Sequence, residues 1–294
     1  MKKLVLILLA LAMIAPAFAR DVDAIVSAEW LGQNLNNQRL VVLDIRAVPA
    51  YREAHVPGAV SSVAASWYPK KGDLNAELPE ADVLVDLIRE AGIDQNSIVV
   101  VVNAEGGAQY HVSARVAFTL KYAGIENVGI LDGGFKAWTA AGQGVATGFE
   151  NKDETEYELK PRPQYLVSQD YVIKNMKRSQ LLDARSYDSY FGRVKFANAT
   201  QYGHIPGAYA APKEWLYDAD GKLVPKAQIE ELLKALKIDP KKEVIGYCDT
   251  GMGCSIWWWV LSEHLGWKNV KMYDGSSEEL TKNPKVVYTK YVWR

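Results

Sequence analysis

Apolar residues along this chain come in short blocks separated by longer amphipathic stretches. Val41-Val42-Leu43-Asp44-Ile45-Arg46 and Leu181-Leu182-Asp183-Ala184-Arg185 are apolar runs closing on Asp-x-Arg. Each predicts a buried strand whose last residues reach solvent. Ile98–Val102 and Val244–Tyr247 predict two further strands, each followed by a glycine-containing loop and a helical segment. Helical patterning covers 81–91, 113–123, 226–236 and 255–265. Strands of this length alternating with helices predict an α/β fold, with a mostly parallel sheet carrying helices on both faces. Ligands of such sheets bind beyond the carboxyl ends of the strands, where the loop after Tyr247 begins.

The same unit occurs twice. Asp183 answers to Asp44, His204-Ile205-Pro206-Gly207-Ala208 to His55-Val56-Pro57-Gly58-Ala59, Cys248 to Asn103, and Asp274-Gly275 to Asp132-Gly133. The offsets, 139 to 149 residues, keep one order, so the chain is an internal repeat with loop insertions. The segment 148–164 is charged, contains Pro161 and Pro163, and lacks apolar periodicity. It reads as a linker between a domain over 20–147 and a second over 165–294.

Residues 1–19 show Lys2 and Lys3, an apolar run from Leu4 to Ile14, and a small-x-small end at Ala17-Phe18-Ala19. This pattern predicts a cleavable export signal and a periplasmic or secreted protein; the run falls short of the roughly 20 apolar residues of a membrane span, so no stable anchor is expected after cleavage. A net charge of −1 offers no footprint for nucleic acid. The two cysteines, Cys248 and Cys254, sit in one stretch and make no disulfide framework across the chain. The four histidines are scattered without zinc-type spacing, so no metal or cofactor is expected.

The candidate chemistry lies in Cys248-Asp249-Thr250-Gly251-Met252-Gly253-Cys254, between a strand and a helix. Two glycines let the backbone curl so that amide N–H groups of Asp249 to Gly253 face inward, and the helix start adds its positive end. A thiol at the bottom of such a cup has its thiolate favoured and becomes nucleophilic near neutral pH. Cys254 has three readings: a buried small hydrophobe, a resolving thiol for Cys248, or a second sulfur acceptor. Trp257, Trp258 and Trp259 point about 100° apart on a helix and read as core and interface packing. His204 and Tyr247 read as structural.

With these residues the chain resembles the tandem-domain thiosulfate and 3-mercaptopyruvate sulfurtransferases, over essentially the whole sequence after the export signal. The resemblance implies two rhodanese-like domains, the first inactive with Asn103 in the cysteine position. It implies that Cys248 takes a sulfane sulfur from a small anionic donor, holds it as a persulfide and passes it to a thiol or other thiophilic acceptor. It further implies that Arg185 and Arg193 bind the donor together with the 249–253 loop; bidentate guanidinium groups suit a sulfonate or carboxylate. The alternative for Arg185 is a structural pair with Asp183.

The chain departs from the family pattern in having Asp249 and no Arg or Lys in the loop, which argues against a dianionic donor. Ser277 and Leu280 replace frequent tryptophans, and Cys254 replaces a small residue. Two other function classes stay open: a thiol-disulfide or persulfide relay through Cys248 and Cys254, and a non-catalytic binding module. A cysteine phosphatase is set aside, because no Arg or Lys lies between Cys248 and Glu263 to clamp phosphate oxygens.

Overall fold

The computed structural model describes residues 20–291, and the export signal expected over 1–19 lies outside them. Among the described residues, ten strands form two five-stranded sheets in which every strand pairing is parallel. The first contains β1 (Ile25–Val26), β2 (Leu40–Asp44), β3 (Val60–Ser61), β4 (Ile98–Val102) and β5 (Asn127–Leu131), ordered β1-β5-β4-β2-β3. The second contains β6 (Leu166–Val167), β7 (Gln180–Asp183), β8 (Tyr209–Ala210), β9 (Val244–Tyr247) and β10 (Val270–Tyr273), ordered β6-β10-β9-β7-β8. The two orders are the same, strand for strand, as the repeat predicts. The central strands β4 and β9 are buried along their whole length, as strands covered on both faces must be.

The helices Ala81–Glu90 and Lys226–Ala235 form where the periodicity places them. Tyr110–Ala123 starts three residues early, and the helix after the cysteine loop runs as α over Met252–Trp258 and then as a π turn over Trp259–His264. One correction concerns the Asp-x-Arg strand ends, which do not reach solvent: Asp44 and Asp183 are 0% exposed, Arg46 7% and Arg185 3%. Each pair closes on itself. Arg46 Nη2 meets Asp44 Oδ2 at 2.6 Å, and Arg185 Nη2 meets Asp183 Oδ2 at 2.6 Å, so the charges are paired and hydrogen-bonded before they are buried.

The two domains share one core. Tyr110–Ala123 of the first packs against Met252–Trp258 of the second, with Phe118 edge-on to Trp258 at 4.7 Å between ring centres. All three tryptophans are buried, and each indole N–H finds a carbonyl: Ala211 for Trp257, Val270 for Trp258, and Ala24 across the interface for Trp259. The repeat is docked reciprocally. Arg115 of the first domain binds Asp274 through both guanidinium nitrogens and donates to Ala76 O, while Leu223 N of the second domain donates to Asp132, the counterpart of Asp274. The linker is strapped to the first domain: Tyr157 donates to Ala123 O at 2.6 Å and Arg162 N to Tyr122 O at 2.8 Å.

Candidate active site

The loop after β9 is held from below by Ser276. Its Oγ accepts from the amides of Cys248 and Gly251, each at 3.1 Å, and donates to Tyr273 O at 2.9 Å. To reach both amides Ser276 adopts a left-handed conformation, φ 48°, at a cost of roughly 1–3 kcal/mol that its three hydrogen bonds offset. Its counterpart in the first domain is Gly134, φ 65°, where a side chain is not needed and no strain arises. Gly251, φ 81°, passes Asp274 so closely that an added Cβ would lie 2.7 Å from the Asp274 carbonyl oxygen. Its amide is therefore spent on Ser276 and not on the sulfur, a correction to the expected ring of amides.

Cys248 is 4% exposed. The Gly253 amide donates to its Sγ at 3.1 Å. Burial alone would push the thiol up, and Asp249 adds to that. The Cys254 thiol and the amides of Cys254 and Thr250 outweigh both and bring it down to about 7. Cys254 is fully buried and its thiol donates to Gly251 O at 3.4 Å; burial, and the neighbouring Cys248 sulfur, raise its own pKa well above the ordinary value. The two sulfurs are both free thiols.

Cys248 opens onto a cavity of about 380 Å³. The loop supplies Asp249, Thr250, Met252 and Gly253 to its wall, and the segment after β7 supplies Arg185, Ser186, Ser189 and Phe196. Arg185 is held by Asp183 and by Gly203 O, yet its Nη1 is buried without a hydrogen-bond partner. One edge of the guanidinium is thus structural, and the residue also lines the cavity. Burial raises the pKa of Asp249, whose Oδ1 also lacks a partner, while Arg185 4.0 Å away pulls it down.

Arg193 is not brought to the site. It is exposed, pairs with the exposed Asp188, and does not line the cavity. Two residues that the loop sequence does not reveal stand in the wall instead. Lys213, after β8, lines the cavity beside Gly253, where an added methyl group would meet Lys213 Cδ at 3.5 Å, and its ammonium pairs with Glu214. His111 comes from the first domain, and its backbone carbonyl accepts from Ser255 Oγ at 3.1 Å. Burial and Lys213 lower its pKa, partly offset by the Ala108 carbonyl and Glu214. The signal for His111 was the repeat: it packs the helix after each loop against its partner, so the first turn of one domain reaches the loop of the other.

In the first domain the equivalent loop is filled. Asn103 is buried, its Oδ1 accepts from Ala104 N at 2.8 Å, and Gly107 N donates to Gly221 O of the second domain at 2.8 Å. Phe135 N and Ser277 N close the two loops alike, on Asn103 O and Cys248 O.

Two parallel α/β domains related by an internal repeat, one with a cysteine cupped at a central strand end, define a tandem cysteine-loop protein. The Rhodanese-like domain family matches residues 27–141 and again 168–283, and the chain belongs to that family. Among curated proteins it is 29% identical to a Synechococcus elongatus protein named "Putative thiosulfate sulfurtransferase", over 90% of this chain and 85% of that one. A Mycolicibacterium smegmatis protein of the same name is 30% identical, over 87% of this chain and 94% of that one. Among solved structures, a persulfide form of an EanB variant with ergothioneine superposes with a TM-score of 0.78 at 26% identity, over 92% of this chain and 71% of that one. The Escherichia coli 3-mercaptopyruvate sulfotransferase SseA gives 0.76 at 24% identity, over 87% and 99%.

Proposed function

We propose that this sulfurtransferase carries sulfane sulfur on Cys248 as a persulfide, from a small anionic donor of the thiosulfate or 3-mercaptopyruvate type to a thiophilic acceptor. The observation that carries this reading is the Cys248 sulfur itself: it accepts the Gly253 amide, has a pKa of about 7, and lies in the wall of a cavity with an unpartnered Arg185 nitrogen. The thiolate attacks the donor's outer sulfur, a new S–S bond forms, and the electron pair of the broken bond leaves with sulfite or the enolate. Arg185 Nη1 and the Lys213 ammonium hold the anionic end, and the 249–253 loop holds the transferred sulfur. The names of the curated relatives and the persulfide in the EanB variant support the same chemistry. The N-terminal pattern supports an exported protein, periplasmic or secreted.

Thiocyanate formed from thiosulfate and cyanide tests the reading. Wild-type protein is expected to turn over and Cys248→Ser to be inactive; turnover that survives in the serine variant contradicts it.

A further inference from the structure

His111 belongs to the domain that has no cysteine, yet it lines the cavity into which Cys248 opens. It sits in the first turn of Tyr110–Ala123, the helix that packs on Met252–Trp258, and Ser255 fixes its backbone from the other side. Its Nδ1 is buried and has no hydrogen-bond partner. Lys213 in the cavity wall pairs with Glu214 and Arg185 with Asp183, while Arg185 Nη1 and Asp249 Oδ1, 4.0 Å apart, have no hydrogen-bond partner. The imidazole, with one unpartnered ring nitrogen and kept neutral near pH 7 by its burial and by Lys213, is the wall group able to take up a proton and return it.

We infer that His111 moves the proton that a 3-mercapto-2-oxoacid donor must shift from sulfur to carbon as it gives up its sulfur. The inference rests on Cys248 being the sulfur carrier. As the Cys248 thiolate attacks the donor sulfur, the S–S bond forms, the C–S bond breaks, and its electron pair passes into the enolate. His111 takes the S–H proton and returns it to the enolate methylene carbon. The sum is HS–CH2–CO–COO⁻ plus Cys248–S⁻ giving Cys248–S–S⁻ plus CH3–CO–COO⁻, with His111 neutral before and after. Thiosulfate needs no such step, because sulfite leaves without a proton. The domain lacking a cysteine would therefore take part in the chemistry of one donor class and not of the other.

The test is single-turnover sulfur loading of the full chain, read by intact mass, with 3-mercaptopyruvate and with thiosulfate. His111→Asn and His111→Gln are expected to slow loading from mercaptopyruvate about tenfold or more beyond any effect on thiosulfate, within the range of a general acid–base group. Added imidazole should restore part of that loss. Equal slowing with both donors, no slowing, or a donor-selective loss in Asp249→Asn instead overturns the assignment. A wild-type protein that loads only from thiosulfate overturns it too and leaves the Cys248 reading standing, whereas one that loads from neither donor removes the Cys248 reading itself.

Discussion

Nη1 of Arg185 stands 4.0 Å from Oδ1 of Asp249, and both atoms are buried without a hydrogen-bond partner. In the proposed reading the donor's anionic group meets this guanidinium edge beside a carboxylate of its own sign. Removing that carboxylate's charge is expected to help binding. Asp249→Asn should lower KM for an anionic donor several-fold, corresponding to about 1 kcal/mol, and should lower the Cys248 pKa, because Asp249 raises it. Steady-state kinetics check the first effect, and an unchanged or higher KM contradicts it.

The pH dependence of Cys248 follows from the thiolate being the nucleophile. With a pKa of about 7, its alkylation by iodoacetamide should be half-maximal near pH 7, rising toward alkaline pH and failing as acid protonates the sulfur. Cys254→Ala removes the neighbouring thiol that lowers the pKa of this sulfur, so the midpoint should move to higher pH while sulfur transfer persists. Cys254→Ser keeps a donor and should stay near wild type. Abolished transfer in both variants would favour the relay between the two cysteines.

The reciprocal docking of the domains rests on Arg115, 0% exposed, with Asp274, 4% exposed. Arg115→Met leaves Asp274 buried without its partner, and a loss of about 3–5 kcal/mol is expected in denaturant unfolding. A loss below about 1 kcal/mol contradicts the buried-pair account. Gly251→Ala should also destabilise, through positive φ and the closeness of the Asp274 carbonyl, with sulfur loading lost along with loop order.

Much of the architecture was legible because burial on both faces forces continuous apolar strands: β4 and β9 fall on Ile98–Val102 and Val244–Tyr247 as read from the pattern. The cysteine loop was legible because its glycines and its place after a strand are local features. Asp183 and Arg185 were placed at solvent because a charge pair that closes on itself two residues apart leaves the same sequence trace as one that does not. The role of Ser276 as the pin of the loop was not legible, since it depends on a left-handed backbone. Lys213 and His111 reach the cavity through β8 and through the domain interface, which are tertiary facts. Arg193 fits the motif spacing, yet an exposed loop carries it to Asp188 instead.

The most direct measurement is the intact mass of the reduced protein after incubation with thiosulfate and removal of excess donor. The account predicts a gain of one sulfur atom that cyanide removes and that Cys248→Ser never acquires. A protein whose mass is unchanged, or a serine variant that gains the same sulfur, would contradict it.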